Sequence, residues 1–262
     1  MLWLAPESPT GRLIAVVLIA KDGDRVRGRG HTCRVLPVGN LRRDAGSPGD
    51  IAQRPLLVGR VAVTLANDAE PNPWLRTRRA TGDEYDAPYE QRAIRGENVH
   101  GEADFVMGLE PISVLDAGCG TGRVARELTR RGVETVGVDL DEEMLSTARR
   151  KAPALEWHRA DLAALDLGRQ FDVVLAAGNV MIFLTPGSET MVVANLAQHL
   201  APGGSLVAGF SLRPGQLTVE DYDRLAASVG LSLVDRWSTW DRDPWVSGAD
   251  YQLSVHRHSH SR

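Results

Sequence analysis

Three aspartates, Asp116, Asp139 and Asp161, stand where apolar runs give out, and the first of them opens a glycine-spaced turn, Asp116-Ala117-Gly118-Cys119-Gly120-Thr121-Gly122. Glycines at 118, 120 and 122 leave no Cβ in the way, so backbone can approach a ligand closely and take positive φ where needed. The apolar segment 111–115 suits a buried strand and 123–131 is a good helix former, which predicts strand, tight turn, helix. Amides at the helix start then face the ligand, the geometry with which a dinucleotide-binding loop holds a pyrophosphate. Asp116 shifts the reading, because a carboxylate at the strand end repels a pyrophosphate and accepts bonds from an ammonium group, directly or through water. Residues 133–138 read as a second parallel strand ending at Asp139, 17 residues beyond Gly122. An acid at that tip is placed to take both hydroxyls of a ribose, as one does about 20 residues on in nicotinamide-binding folds. Asp139 alone fits either ligand class.

Together these residues resemble the cofactor motifs of the class I S-adenosylmethionine (SAM) methyltransferases, over residues 72–258. The resemblance implies an α/β fold: a doubly wound, seven-stranded, mostly parallel Rossmann-like sheet with the last strand antiparallel. It implies a third strand over 156–162 that runs out at Asp161, whose carboxylate accepts from the adenine amino group while the Leu162 amide meets a ring nitrogen. Met144 is implied against the adenine face. The implied cofactor set is Asp116, Ala117, Gly118, Gly120, Gly122, Asp139, Leu140, Met144, Asp161, Leu162, Gly178 and Asn179. Asp139 and Asp161 also have a bland reading as helix N-caps; Asp141 is the better cap for a helix over 142–151. Cys119 is read as a small filler. In order follow a strand over 171–177 with Gly178-Asn179 at its open end, a break at Ala201-Pro202-Gly203-Gly204, and a strand over 205–210. A helix over 218–229 is capped by Thr218, and 231–240 with 249–256 form a final antiparallel pair.

The elements that must position this set need only part of the chain. Of 262 residues, 43% are hydrophobic, the net charge is −4, and no run approaches the roughly 20 apolar residues of a membrane span. Cys33 and Cys119 are far apart, so a disulfide scaffold is not expected and the cytoplasm is the expected compartment. Basic residues are 28 arginines and two lysines, Lys21 and Lys151, a bias of codon usage that is not read as a nucleic-acid patch. The first 60 residues carry ten basic and five acidic residues, net +5; the remainder carries 20 and 29, net −9, and the two sum to −4. Residues 1–60 are expected to be a poorly ordered extension in which only 13–20 suits a strand, with a misassigned upstream start as one account and the functional chain opening near Val61 or Val63. No basic residue precedes Arg12 and no small-residue cleavage site follows the short apolar run, against a secretory signal. Residues 61–110 are read as a helical cap, 111–258 as the core and 259–262 as a tail.

The chemistry that the resemblance implies is displacement at a sulfonium methyl by a nucleophile on a small-molecule acceptor, driven mainly by alignment of donor, methyl and acceptor. A base is optional; His100, His158, Tyr222 and Asp241 are candidates without geometric support, Asn179 carries no proton at neutral pH, and no catalytic residue is assigned. In the cap, Trp74, Tyr85, Tyr89, Arg92, Arg95 and His100 stand out, and Tyr89 or Arg92 closing over the methionine carboxylate is weighed equally with packing and solvation. Trp237, Trp240 and Trp245 either line an apolar acceptor pocket or fill core. Gly178-Asn179-Val180-Met181 stands where amino-directed nucleic-acid methyltransferases carry Asn-Pro-Pro-Tyr, and no Pro-Cys pair is present. The expected partner is therefore a small-molecule methyl acceptor, with no nucleic acid, no membrane, no metal, and a monomer or homodimer. A nicotinamide oxidoreductase is opposed by Asp116, Asp161 and the absence of a Tyr-x-x-x-Lys pair. A non-catalytic SAM-binding protein remains open because the acceptor site is not legible. His256, His258 and His260 alternate and are read as a solvated tail.

Overall fold

The apolar run that leads to the glycine turn folds as a strand, Ser113–Ala117, buried from Val114 onward, as a central parallel strand must be. The computed structural model describes residues 72–259 and, before them, a short antiparallel hairpin of β1 (Val26–Gly28) and β2 (His31–Cys33). The expected strand over 13–20 lies outside the described residues, and the strands described within the expected extension fall instead at Val26–Gly28 and His31–Cys33, where the sequence reading placed none. Chain contacts divide the protein into two units, Met1–Ala69 and Glu70–Arg262.

The second unit opens with three helices, α1 (Pro73–Thr77), α2 (Gly82–Ile94) and α3 (Gly101–Met107). Then come β3 (Ser113–Ala117), α4 (Arg123–Arg130), β4 (Glu134–Asp139), α5 (Glu142–Lys151), β5 (Glu156–Arg159), β6 (Phe171–Ala176), α6 (Glu189–Gln198), β7 (Leu200–Ser211), α7 (Val219–Ser228), β8 (Leu231–Trp237) and β9 (Tyr251–His258). They form one seven-stranded sheet in the order β5-β4-β3-β6-β7-β9-β8. Only β9 runs against its neighbours, pairing antiparallel with both β7 and β8. Strand order reverses between β3 and β6, the switch point outside whose carboxyl ends open α/β sheets bind ligands.

Alternate residues feed two cores. Leu115, Val174, Leu206 and Phe210 meet α6 and α7 on one face, whereas Val114, Val173, Val207 and Leu253 meet α3 and α4 on the other. Among the described residues no helix is long and apolar enough to cross a membrane. Asp141 caps α5 by accepting from the Glu143 amide at 3.0 Å, and Thr218 caps α7 by accepting from the Asp221 amide at 3.1 Å.

Three local expectations change. Ala201-Pro202-Gly203-Gly204 does not precede the strand but lies inside β7: Phe171 pairs with Leu200 and Val173 with Ser205, so the extra residues bulge outward. The chain enters the sheet as soon as α6 ends because Leu200 is needed in the core. The strand expected over 231–240 stops at Trp237, and 238–250 forms the loop to β9. His256 is not in a solvated tail; it is buried in β9, edge-on to Tyr222 with ring centroids 5.2 Å apart.

Gly122, the N-cap of α4, sits at φ +73°, and a Cβ there would lie 2.2 Å from the Trp157 indole. Overpacking against a fixed ring and left-handed strain are each destabilising. Gly122→Ala is expected to lower unfolding free energy by about 2–4 kcal/mol. Gly132, at φ +90° with open space around it, isolates the strain alone, and Gly132→Ala should lose only about 1 kcal/mol by chemical denaturation. Equal losses at the two positions would show that Trp157 does not confine the loop.

Candidate functional site

The glycine turn is wedged between two neighbours. At Gly118, φ +84°, a Cβ would come within 2.3 Å of Val180 Cγ2, and at Gly120, φ +56°, within 3.3 Å of Met144 Cε. Its first amides turn inward. Gly118 N and Cys119 N donate to Val138 O at 2.7 and 2.9 Å, and Gly120 N donates to Asp139 Oδ2 at 2.8 Å. The glycines therefore serve close packing at the tip of β4.

Asp139 is the keystone of that tip. Its Oδ2 accepts from Gly120 N and its Oδ1 from Asp141 N at 2.8 Å, so two backbone donors fix its rotamer at the mouth of a cleft of about 650 Å³. Burial pushes its carboxyl up, and those amide bonds oppose the shift.

Gly118, Gly120, Asp139, Leu140, Met144, Asp161, Leu162 and Gly178 all line this cleft. Asp161 also caps a short turn, accepting from Ala163 N at 2.9 Å, so its capping and ligand readings coexist. The other four residues of the implied set do not line it. Asp116 is buried behind the turn, where the Ala125 amide donates to it and its Oδ2 has no partner. Ala117 is buried in the sheet, and Gly122 packs on Trp157. Asn179, left-handed at φ +70°, accepts from Ser211 N at 2.7 Å.

Six further residues line it: Asn72, Val180, Phe183 and Leu184, which lack any assignment from sequence, and Trp74 and Tyr85, which stand out in the sequence of the cap. The Trp74 indole donates to Asp141 Oδ2 at 2.9 Å, the Arg78 guanidinium bonds the same oxygen, and the Trp74 ring meets Tyr85 and Phe183 edge-on at 6.1 and 5.5 Å. One aspartate thus caps α5 and holds α1 over the cleft. Asp86, buried in α2, accepts from the Thr121 hydroxyl at 2.5 Å and from Lys151 Nζ at 2.7 Å, tying α2 to the glycine turn and to the end of α5.

A second cleft, of about 1170 Å³, opens beside the first. Tyr89, Arg92, Asn98, Val99, Glu102, Asn179, Trp240, Asp241, Asp250 and Tyr251 are among its walls, and Gly178 lines both clefts. Its one arginine, Arg92, is paired with Glu97 at 2.8 Å. Arg95 pairs with Glu97 as well and lines neither cleft.

Of the four base candidates, Asp241 alone lines a cleft. His158 Nε2 lies 2.5 Å from Glu156 Oε1 on the edge strand β5. His100 faces Glu127 at 4.0 Å. Tyr222 is a fully buried residue of α7, and burial pushes its hydroxyl far above the usual tyrosine range. Of the tryptophans, Trp237 and Trp240 pack edge-on against Phe105 at 5.2 and 5.7 Å, and Trp240 also lines the second cleft.

A family model described as a methyltransferase domain matches residues 114–204. The chain is 30% identical to a TehB-like SAM-dependent methyltransferase from Corynebacterium glutamicum, with a TM-score of 0.63 over 68% of this chain and 97% of that one. It is 34% identical over 120 residues to dTDP-3-amino-3,4,6-trideoxy-α-D-glucopyranose N,N-dimethyltransferase of Streptomyces venezuelae, 43% of this chain and 51% of the relative. Over 96 residues it is 38% identical to trans-aconitate 2-methyltransferase of Azoarcus sp., 36% of this chain and 37% of the relative. The chain spans about half the length, or less, of these curated relatives.

Proposed function

The chain belongs to the class I SAM-dependent methyltransferases, and we propose that it transfers a methyl group to an amine nitrogen of a small molecule held in the second cleft. The observation that carries this reading is Gly178, the one residue lining both clefts, which brings no side chain between them. The residues lining the cleft fit the cofactor. Asp139 offers a fixed carboxylate to a ribose, and Met144 and Leu162 give an apolar slot beside Asp161 for an adenine. Asp116 lies behind the turn and outside that lining, and its unpartnered Oδ2 is left to meet an ammonium group through water.

SAM supplies a methyl carbon already made electrophilic by the adjacent sulfonium. The chain's task is to bring a nitrogen lone pair in line with it, an alignment worth several kcal/mol in removed encounter entropy. Asp241 and Asp250 line the acceptor cleft, where Arg92 is already paired with Glu97 and Glu102 with Arg123, so its remaining charge favours a protonated amine over a carboxylate. The ammonium gives one proton to the Asp241 carboxylate. The bound cofactor would supply the methyl group to the freed lone pair and keep the carbon–sulfur electron pair, so that a methylammonium product would leave. The Streptomyces relative's named substrate carries such an amine. The proposed setting is the cytoplasm, with neither membrane nor nucleic acid as partner and a monomer or homodimer as the working unit.

The test is S-adenosylhomocysteine (SAH) release across amino sugars and their matched hydroxyl and carboxylate counterparts. Amines should turn over first, and Asp241→Asn should lower kcat about 10–100-fold with SAH affinity unchanged. Preference for the hydroxyl or carboxylate members would replace the amine. Tight SAH binding with no turnover of any member would favour a SAM-binding regulatory protein.

A further inference from the structure

Arg123, the first residue of α4, lines neither cleft, yet it grips three residues that line the second. Its guanidinium bonds both carboxylate oxygens of Glu102, with Nη1 to Oε2 at 3.1 Å, donates to the Val99 carbonyl, and lies over the Tyr89 ring at 4.2 Å. Arg123 and Glu102 side chains are only 14% and 15% exposed, so water screens this pair weakly. The planar fork of an arginine can meet a carboxylate at two points and an aromatic face at the same time, which lysine cannot do. Tyr89 belongs to α2, Val99 precedes α3 and Glu102 opens it, so one side chain gathers the α2–α3 corner.

The same residue stands directly after Gly122, the last glycine of the cofactor turn. Asp86 joins α2 to that turn through Thr121. Behind it, Arg123's charge is the strongest influence opposing the burial of Asp116, so the guanidinium senses the acid assigned to the cofactor's ammonium. Whatever fixes the turn fixes the root of Arg123, and with it the corner that walls the acceptor cleft. A tie between two sites is reciprocal: an acceptor wall held by Arg123 also favours the closed turn.

We propose that Arg123 is a positioning residue that couples occupancy of the cofactor cleft to assembly of the acceptor-cleft wall formed by Tyr89, Val99 and Glu102. The inference rests on the methyltransferase reading above. Each ligand then favours binding of the other, because the turn and the wall are held through one side chain.

Hydrogen exchange of the full chain, with and without SAH as the probe, tests the coupling. In the unsubstituted protein SAH should slow exchange over 118–122 and, at a distance, over 89–102. In Arg123→Gln the slowing over 118–122 should persist while that over 89–102 falls by at least about threefold. Arg123→Lys, which keeps the charge without the fork, should recover only part of it. Glu102→Gln cuts the same tie from the other end and serves if Arg123→Gln fails to fold. A merely structural arginine would change exchange equally in free and bound protein, whereas coupling changes the difference between them. Equal SAH-induced slowing over 89–102 in Arg123→Gln and the parent overturns the proposal, as does a parent in which SAH slows 118–122 alone. Failure of SAH to bind, read separately by calorimetry, removes the methyltransferase reading and this inference with it.

Discussion

Asp139→Ala is expected to weaken SAH binding by at least about 100-fold, close to 2.7 kcal/mol, measured by calorimetry at neutral pH. Two losses add. The hydrogen bonds between an ionised carboxylate and the ligand's hydroxyls are worth about 1.5–3 kcal/mol each. The amides of Gly120 and Asp141, both aimed at Asp139, also lose their acceptor, and a buried orphan donor costs about 1–3 kcal/mol. The second loss falls on the fold as well, so the apo variant should unfold about 2 kcal/mol more easily. Asp139→Asn keeps one carbonyl oxygen for one amide. Its stability should therefore lie between the parent and the alanine variant, while its affinity still falls about tenfold because the charge is gone. SAH affinity within tenfold of the parent in Asp139→Ala would remove this acid from the cofactor site.

How much of this was legible depends on range. Strand, turn and helix around Asp116 follow from contiguous residues: an apolar run, glycines and a helix former, each acting on its own neighbours. The same holds for the Asp141 and Thr218 caps, whose acceptors sit two and three residues from their donors. What the glycines pack against was not legible, because Trp157 and Val180 come from other strands' ends and no spacing rule reports them. Nor was the inward turn of the Gly118, Cys119 and Gly120 amides, which depends on where β4 ends beside β3. Asp141 shows both limits in one residue: its cap is local, while its hold on Trp74 spans 67 residues. The second cleft is drawn from 89–102, 178–179, 238–241 and 250–251, four segments far apart in sequence that only the folded chain brings together.

Asp116→Asn should do two opposite things: make the apo protein more stable at pH 8 and nearly abolish its affinity for cofactor. Asp116 is 2% exposed and its Oδ2 has no partner. Burial pushes its carboxyl up to about 7; Arg123's charge and the Ala125 amide pull it back, and the charges of Asp139 and Glu102 push it further up. An unfolded chain holds the same group near about 3.9. With the folded value raised, stability from the protonated form is fully present below about pH 4 and is lost as pH rises through about 7. At about 1.4 kcal/mol per unit, the ionised carboxylate costs the apo fold up to about 4 kcal/mol above that window. Asparagine cannot ionise, so the variant should exceed the parent by about 2–4 kcal/mol near pH 8, with the difference shrinking toward zero near about pH 4. The ligand's ammonium needs the charged form, so SAH affinity of the parent should rise between about pH 6 and pH 8, and the variant should bind about 100-fold more weakly with no such rise. Denaturation of the two apo proteins across this range, with calorimetry beside it, checks both halves. A variant that is destabilised at pH 8, or a stability difference that does not move with pH, would show that Asp116 is an ionised structural acid. A difference that moves with pH as above would instead mark Asp116 as a carboxyl whose burial the apo fold bears for the sake of a cation.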